Sequence, residues 1–286
     1  MRRDLAIIAG YALREAVRRR VLVVVVVLTI LFLALYAFGS WEAFKEVSRH
    51  SFGARAPIED EVLTGSTLLG LAMFVTLFLG TVLAVFVTLN AVRGDAERGL
   101  LQPLVVRPVG RSTLLLARFL AAAGVCVVYV AIVYAAAVLL TGATGGYWPD
   151  NPVAGGLSIA AAVVVVVALS LLGTTLLSST ANGIAIFMVF GAGLAAGLLG
   201  QIGTNLQSST LERISSIASW ALPFEALYQD GLHALTADVT GVTGVIVRLG
   251  PFGGAHDAGP LLIPYALAYL LVVGCVANRV FGRADL

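Results

Sequence analysis

Few side chains in this sequence could do chemistry. Its three histidines, His50, His233 and His256, are spaced too irregularly to suggest a metal set. The H-E-x-x-H pattern of helical zinc proteases is missing. Serines abound, but none shares an apolar run with a histidine, so no Ser–His nucleophile is indicated. Cys126 and Cys275 both lie inside apolar runs, which fits neither a disulfide framework nor a zinc site. Lys45, the sole lysine, follows Phe44, so a G-x-x-x-x-G-K-[ST] phosphate loop cannot form. The expectation is no catalytic residue, no metal and no cofactor in this chain.

Composition explains the scarcity. Of 286 residues, 59% are hydrophobic and 12% charged, with a mean hydropathy of +0.97. Soluble domains carry about 25% charged residues, so a polytopic membrane protein is implied. Disorder, nucleic-acid binding and a secreted enzyme fit poorly.

The charges are absent in blocks. Crossing a hydrocarbon core of ~30 Å takes about 20 apolar residues in a helix rising 1.5 Å per residue. Uncharged stretches place spans near 21–39, 65–90, 114–140, 157–178, 183–203 and 259–281. The fourth and fifth are divided by the turn signal Ser178-Ser179-Thr180-Ala181-Asn182-Gly183. The fold class is therefore all-α integral membrane, with six transmembrane helices in one domain over 1–286.

Orientation follows from arginine and lysine, which collect on the cytoplasmic side. The side holding both termini has thirteen of them and the opposite side five, Lys45, Arg49, Arg55, Arg213 and Arg248. Both termini are expected in the cytoplasm. Residues 1–20 alternate apolar and basic residues at helical spacing, which suits an interfacial helix. A signal peptide fits less well, because the core after residue 20 is longer than usual and a clean A-x-A cleavage site does not close it.

Outside the membrane, residues 40–64 suggest a short amphipathic helix and the acidic turn Glu59-Asp60-Glu61. Residues 142–156 read as a loop. The largest external segment, 204–258, is helical in pattern in its first half, where Trp220, Phe224 and Tyr228 suit interfacial anchoring. In the fifth span, Gly193 and Gly197 form a G-x-x-x-G with Gly200 on nearly the same face, either a dimer seam or packing within one subunit. No span interior holds Asp, Glu, Lys, Arg or His, so proton-coupled transport lacks its titratable group. A sodium-coupled carrier survives that argument, since carbonyls and hydroxyls can hold sodium at broken helices.

With no phosphate-binding loop of its own, the chain can use ATP only through another polypeptide, and the cytoplasmic loop 91–113 is where that energy could enter. The run 91–118, AVRGDAERGLLQPLVVRPVGRSTLLLAR, holds five arginines, two acids and two prolines. Asp95 can cap a short helix, and Leu100, Leu101, Leu104 and Val105 then form a small apolar ridge. Arginines alone would suit lipid headgroups; apolar residues among acids suit a protein partner better.

This loop resembles the one after the second span of ABC-2 type transporter permeases. Glu97, Arg98, Gly99, Leu101, Leu104, Arg107, Pro108, Val109, Arg111, Leu115 and Arg118 match that pattern as they stand. The segment Trp220-Ala221-Leu222-Pro223-Phe224-Glu225 and the terminus Phe281-Gly282-Arg283-Ala284-Asp285-Leu286 are similar to two further family marks. In size and layout the chain resembles the six-span permeases serving nitrous-oxide-reductase maturation. Leu100, Gln102 and Pro103 depart from the usual coupling-loop residues, and Leu222 stands in place of an asparagine before Pro223.

The resemblance implies a bacterial or archaeal cell-membrane permease. It implies a partnership with a second permease copy or a related permease, and with a separate ABC ATP-binding subunit dimer that holds ATP and Mg. Membrane lipid, and an external accessory protein, are the further partners considered. It further implies that residues 1–20 are an elbow helix. Asp95, Glu97, Arg98, Gly99, Leu101, Leu104 and Arg107 would contact the ATPase as a coupling helix, and Trp220, Pro223 and Glu225 would mark a re-entrant external hairpin. The function read here is the permease of an ABC exporter or extrusion complex. A non-transporting anchor or mechanotransmitter for a partner protein is the alternative.

Overall fold

In the computed structural model the described residues are Gly10, 20–50, 57–89, 110–149, 151–236 and 259–283. Long uncharged runs in a bilayer must satisfy their own backbone groups, which leaves helices as the local solution. Among the described residues the elements are α1 (Arg20–His50), α2 (Pro57–Thr88), α3 (Arg111–Gly145), α4 (Pro152–Leu176), α5 (Ser179–Leu206), α6 (Ser209–Ala221), α7 (Pro223–Thr236) and α8 (Leu262–Arg283). Six of them, α1 to α5 and α8, are long and apolar enough to cross a membrane.

The helices run past several expected span limits. α1 continues through Trp41 to His50, so the separate amphipathic helix expected after residue 40 is its far end. The i,i+3 pairs Glu42–Lys45 (3.0 Å) and Glu46–Arg49 (3.5 Å) support that extension. α2 starts at Pro57, so residues 59–61, expected as an acidic turn, fall in its first turns. α3 ends at Gly145, and Gly146, at φ 68°, caps it by donating its N–H to the Gly142 carbonyl. The expected loop 142–156 contracts to 146–151.

α2 and α4 form the middle of the bundle, with α3 packed on both. At Gly80 of α2 an added Cβ would come within 3.0 Å of Val163 in α4 and Val130 in α3, so the three backbones meet closely there. α1 and α8 are peripheral and turn Val23, Val27, Ile30, Leu267 and Leu271 outward, as a lipid-facing surface should. Phe281 at the end of α8 packs with Leu115 of α3 and Leu171 of α4, so the start of α3 and the ends of α4 and α8 share one end of the bundle. That end is called the terminal end below, and the opposite one the distal end.

α1 and α3 run parallel, keyed by hydroxyls at three levels. Thr29 Oγ1 meets Tyr129 Oη at 2.6 Å, Tyr36 Oη meets Thr141 Oγ1 at 2.5 Å, and Ser40 Oγ meets Thr144 Oγ1 at 3.1 Å. Apolar matching adds little association in lipid, so such bonds set the register. A double-mutant cycle of Thr29→Val and Tyr129→Phe should give a coupling energy of about 0.6–1.7 kcal/mol by unfolding in detergent micelles. Additive losses would show that the pair contributes nothing to the register.

Candidate functional site

α6 and α7 are 13 and 14 residues long, or about 20 Å each at 1.5 Å per residue, too short to span. They form a hairpin that enters the bundle from the distal end. Gln207, at φ 53°, and the Ser208 N–H bonded to the Gly203 carbonyl at 2.8 Å turn the chain back sharply after α5. α6 then descends antiparallel to α5, with Glu212 beside Gly203 and Ser215 beside Gly200.

The deepest part of the hairpin is Leu222-Pro223-Phe224. A Cβ on Gly193 would overlap the Phe224 ring, and Phe224 stacks on Phe190 at 5.8 Å between centroids. Gly193 lies thirteen residues before the end of α5, which puts the tip about 20 Å below the distal end. α7 climbs back against α4. Asp230 accepts from Ser158 Oγ at 3.1 Å, Gly231 sits against Ser158 and Met73, and the Leu235 carbonyl accepts from Tyr147 Oη at 3.3 Å.

Backbone at such depth needs internal partners, and the turn has them. Leu222 N–H donates to the Ala218 carbonyl at 2.8 Å. The Trp220 and Ala221 carbonyls, left over at the end of α6, accept from the α8 hydroxyls of Tyr265 and Tyr269, the latter at 2.9 Å. Pro223 opens α7, where a missing N–H is harmless. The sequence pointed to Trp220, Pro223 and Glu225 but not to the two tyrosines, whose only signal was a pair of aromatic hydroxyls at i, i+4.

Glu225 is the chemical feature of the hairpin. It is 3% exposed. Its carboxylate accepts from Ser219 Oγ of α6 at 3.2 Å and from Gln229 Nε2 of α7, and it lies against Gly197 of α5. Those donors are neutral. Burial raises its pKa from the ordinary 4.5 to about 7, with the Ser219 and Gln229 bonds opposing the rise. The expectation that membrane depth holds no ionisable group is therefore corrected. Glu225 sits in a stretch read as external, and the hairpin folds that stretch inward. Phe224 and Tyr228 are corrected for the same reason. At 0% and 1% exposed they are core residues, not interfacial anchors, while Trp220 stays exposed.

Gly193, Gly197 and Gly200 thus face the hairpin of their own chain, against Phe224, Glu225 and Ser215. At the terminal end lies a second polar group that the sequence reading missed. Thr88 Oγ1 meets Ser170 Oγ at 2.6 Å, and Asn182 Nδ2 donates to the Ser170 carbonyl at 3.1 Å. All three side chains are buried. Asn182, expected in a turn, is in the first turn of α5, against Gly173 of α4.

The family model for the ABC-2 family transporter protein matches residues 6–286. The chain belongs to the ABC-2 transporter family. A comparison with curated proteins finds no match. Membership makes it a multi-pass membrane protein and a transport permease, not itself catalytic. In this ABC-2 permease, Asp95, Glu97, Arg98, Gly99, Leu101, Leu104 and Arg107 of the expected coupling helix lie outside the described residues, as do nearly all of the expected elbow helix and the second half of the segment 204–258. Thr88, in the last turn of α2, ties the end of that helix to α4 and, through Ser170, to α5.

Two outcomes test the hairpin. Gly197→Val forces a side chain into the Glu225–Gln229 pair and should destabilise the purified protein by about 1–3 kcal/mol, the usual cost of overpacking, seen as a lowered unfolding temperature. A carboxyl whose folded pKa is raised binds more protons folded than unfolded, so stability falls as pH rises from about 4.5 to 7 and is level above that. The loss should be on the order of 3 kcal/mol across that window. Glu225→Gln should flatten it, as read by unfolding between pH 4.5 and 8; an unchanged slope would assign it to other groups.

Proposed function

We propose that this permease is the membrane half of an ABC exporter or extrusion complex, energised by a separate ATP-binding subunit that engages the 91–111 loop. Family membership over nearly the whole chain carries the reading. Two physical points support it. The chain has no lysine outside Lys45 and hence no phosphate-binding loop of its own. The loop 91–111 directly follows α2, whose last turn is hydrogen-bonded through Thr88 to α4 and thence to α5.

The mechanism follows from that connectivity. ATP-driven closure of two ATPase subunits would push on the loops of two permease copies, or of one copy and a related permease. Asp95, Glu97 and Arg98 would give the loop its polar contacts, with Leu101 and Leu104 as an apolar ridge in the ATPase cleft. Displacement of α2 would reach α4 and α5 through Thr88, Ser170 and Asn182. α5 and α4 carry the hairpin at the distal end, so the hairpin would open or close the outer side. A shift of this kind needs different contacts in the two nucleotide states. ATP and Mg would sit on the partner, both termini in the cytoplasm, and the complex in a bacterial or archaeal cell membrane.

A second reading keeps the same energy input but sends the force to an external partner protein, with no cargo crossing. Charge reversal at Glu97 together with Arg98 should leave membrane insertion intact and abolish ATP-dependent flux in vesicles holding both subunits. Flux equal to wild type would remove the loop from the mechanism. Uphill accumulation by this chain alone would favour a sodium-coupled carrier instead.

A further inference from the structure

Glu225 takes no part in the loop-driven mechanism, yet it is a carboxyl held at membrane depth. Its partners among the described residues, Ser219 and Gln229, are both neutral. α5 carries no charged residue. On α6 the charged residues are Glu212 and Arg213, both exposed and about two turns nearer the distal end. On α7, Asp230 is engaged by Ser158, and Tyr228 has a buried hydroxyl with no hydrogen-bond partner. The facing tyrosines of α8, Tyr265 and Tyr269, are bonded to the Trp220 and Ala221 carbonyls. An unpaired carboxylate buried this deeply is costly, and a proton is the smallest cation that removes the charge.

The same helix offers that proton a way in. Glu225, Gln229 and His233 are spaced i, i+4, i+8, which puts them on one face of α7. They rise about 12 Å, eight residues at 1.5 Å each, from a buried carboxyl to half-buried side chains. Gln229 touches the carboxyl directly. His233 ends the file in the last turn, two residues before Leu235, whose carbonyl meets Tyr147 of the distal loop 146–151. Imidazole is the side chain best suited to relay protons near neutral pH. On the terminal side the route is closed, because the buried, stacked rings of Phe190 and Phe224 lie beneath Glu225.

We propose that Glu225 is a proton-binding site, filled from the distal side along His233 and Gln229, and that the bound proton locks the hairpin to α5. With the proton on, one carboxyl oxygen accepts from Gln229 Nε2 and the other donates its O–H to Ser219 Oγ, reversing that bond. With the proton returned to distal water, the carboxylate keeps two neutral partners and leaves an unpaired charge in the seat. An unseated carboxyl titrates at its ordinary 4.5 and the seated one at about 7. That difference weakens the lock about 300-fold once pH has passed both values. The site needs no ATPase partner, so exporter activity and this lock stand or fail separately.

The whole chain with a C-terminal affinity tag is reconstituted in phosphatidylcholine vesicles. Vesicles that the tag fails to retain have their distal ends outward. Infrared difference spectra follow the C=O stretch of the protonated carboxyl, which should titrate with a midpoint near 7 and vanish in Glu225→Gln. Acid added outside should raise the band at once in these vesicles, and only after the pH gradient decays in those the tag retains. His233→Ala should slow the rise at least tenfold and leave the midpoint in place. The lock is read by amide hydrogen exchange of α6, as the ratio of wild-type to Glu225→Gln rates at each pH, which cancels the intrinsic pH dependence. The ratio should climb at least thirtyfold between about pH 5 and about pH 8. A midpoint in the ordinary carboxylate range, or equal access from both sides, would overturn the site. An unchanged rate in His233→Ala would overturn the route, and a flat exchange ratio the lock.

Discussion

The seating of Phe224 and Glu225 on the glycine face of α5 is the contact on which the distal half of this protein depends. A hairpin with a polar tip has no reason to stay inside an apolar slab unless its backbone and its carboxyl are both satisfied there. Gly193, Gly197 and Gly200 give α6 and α7 the room to approach, and any side chain at the first two would collide with Phe224 or Glu225. Ser219 and Gln229 receive the carboxyl, and Tyr265 and Tyr269 receive the exposed carbonyls of the turn. Remove the close approach, and the polar groups lose their partners together.

The two ends of the bundle are built on different principles. At the terminal end, Thr88, Ser170 and Asn182 join α2, α4 and α5 through two uncharged hydrogen bonds, one between hydroxyls and one from the Asn182 amide to the Ser170 backbone carbonyl. At the distal end, α4 and α5 grip a whole hairpin over extended apolar faces, with Leu227, Leu232 and Leu235 buried. Uncharged bonds of this sort contribute about 0.6 kcal/mol on average in a membrane bundle, whereas burying several leucines is worth several times that in packing. Rearrangement at the terminal node therefore costs less than rearrangement of the hairpin seat, and α4 and α5 connect the two.

Six spans were legible because the signal is coarse: charge-free runs of about 20 residues, such as the one after Arg20, have the length and apolarity of a membrane crossing. Span ends were not, since helices overshoot the hydrocarbon when local pairs such as Glu42–Lys45 carry them on. The hairpin was legible only through resemblance at Trp220, Pro223 and Glu225. Thirteen- and fourteen-residue helices with serines and acids have the hydropathy of a surface segment, and nothing local in the sequence reveals that α5 offers glycines at the matching heights. Asn182 escaped for a related reason. In the string SSTANG it reads as a turn, and only the packing of Gly173 against it turns the same residue into a buried donor.

The three hydroxyl pairs between α1 and α3 carry an implication for how this molecule can deform. Because Thr29, Tyr36 and Ser40 meet Tyr129, Thr141 and Thr144 at three heights, a longitudinal slip of one helix past the other would break every pair in the same instant. A tilt of the two as a single plank would break none. Whatever excursion the cycle demands of this permease, these helices travel it as fixed companions, and the shearing is left to surfaces lined by bare aliphatic groups.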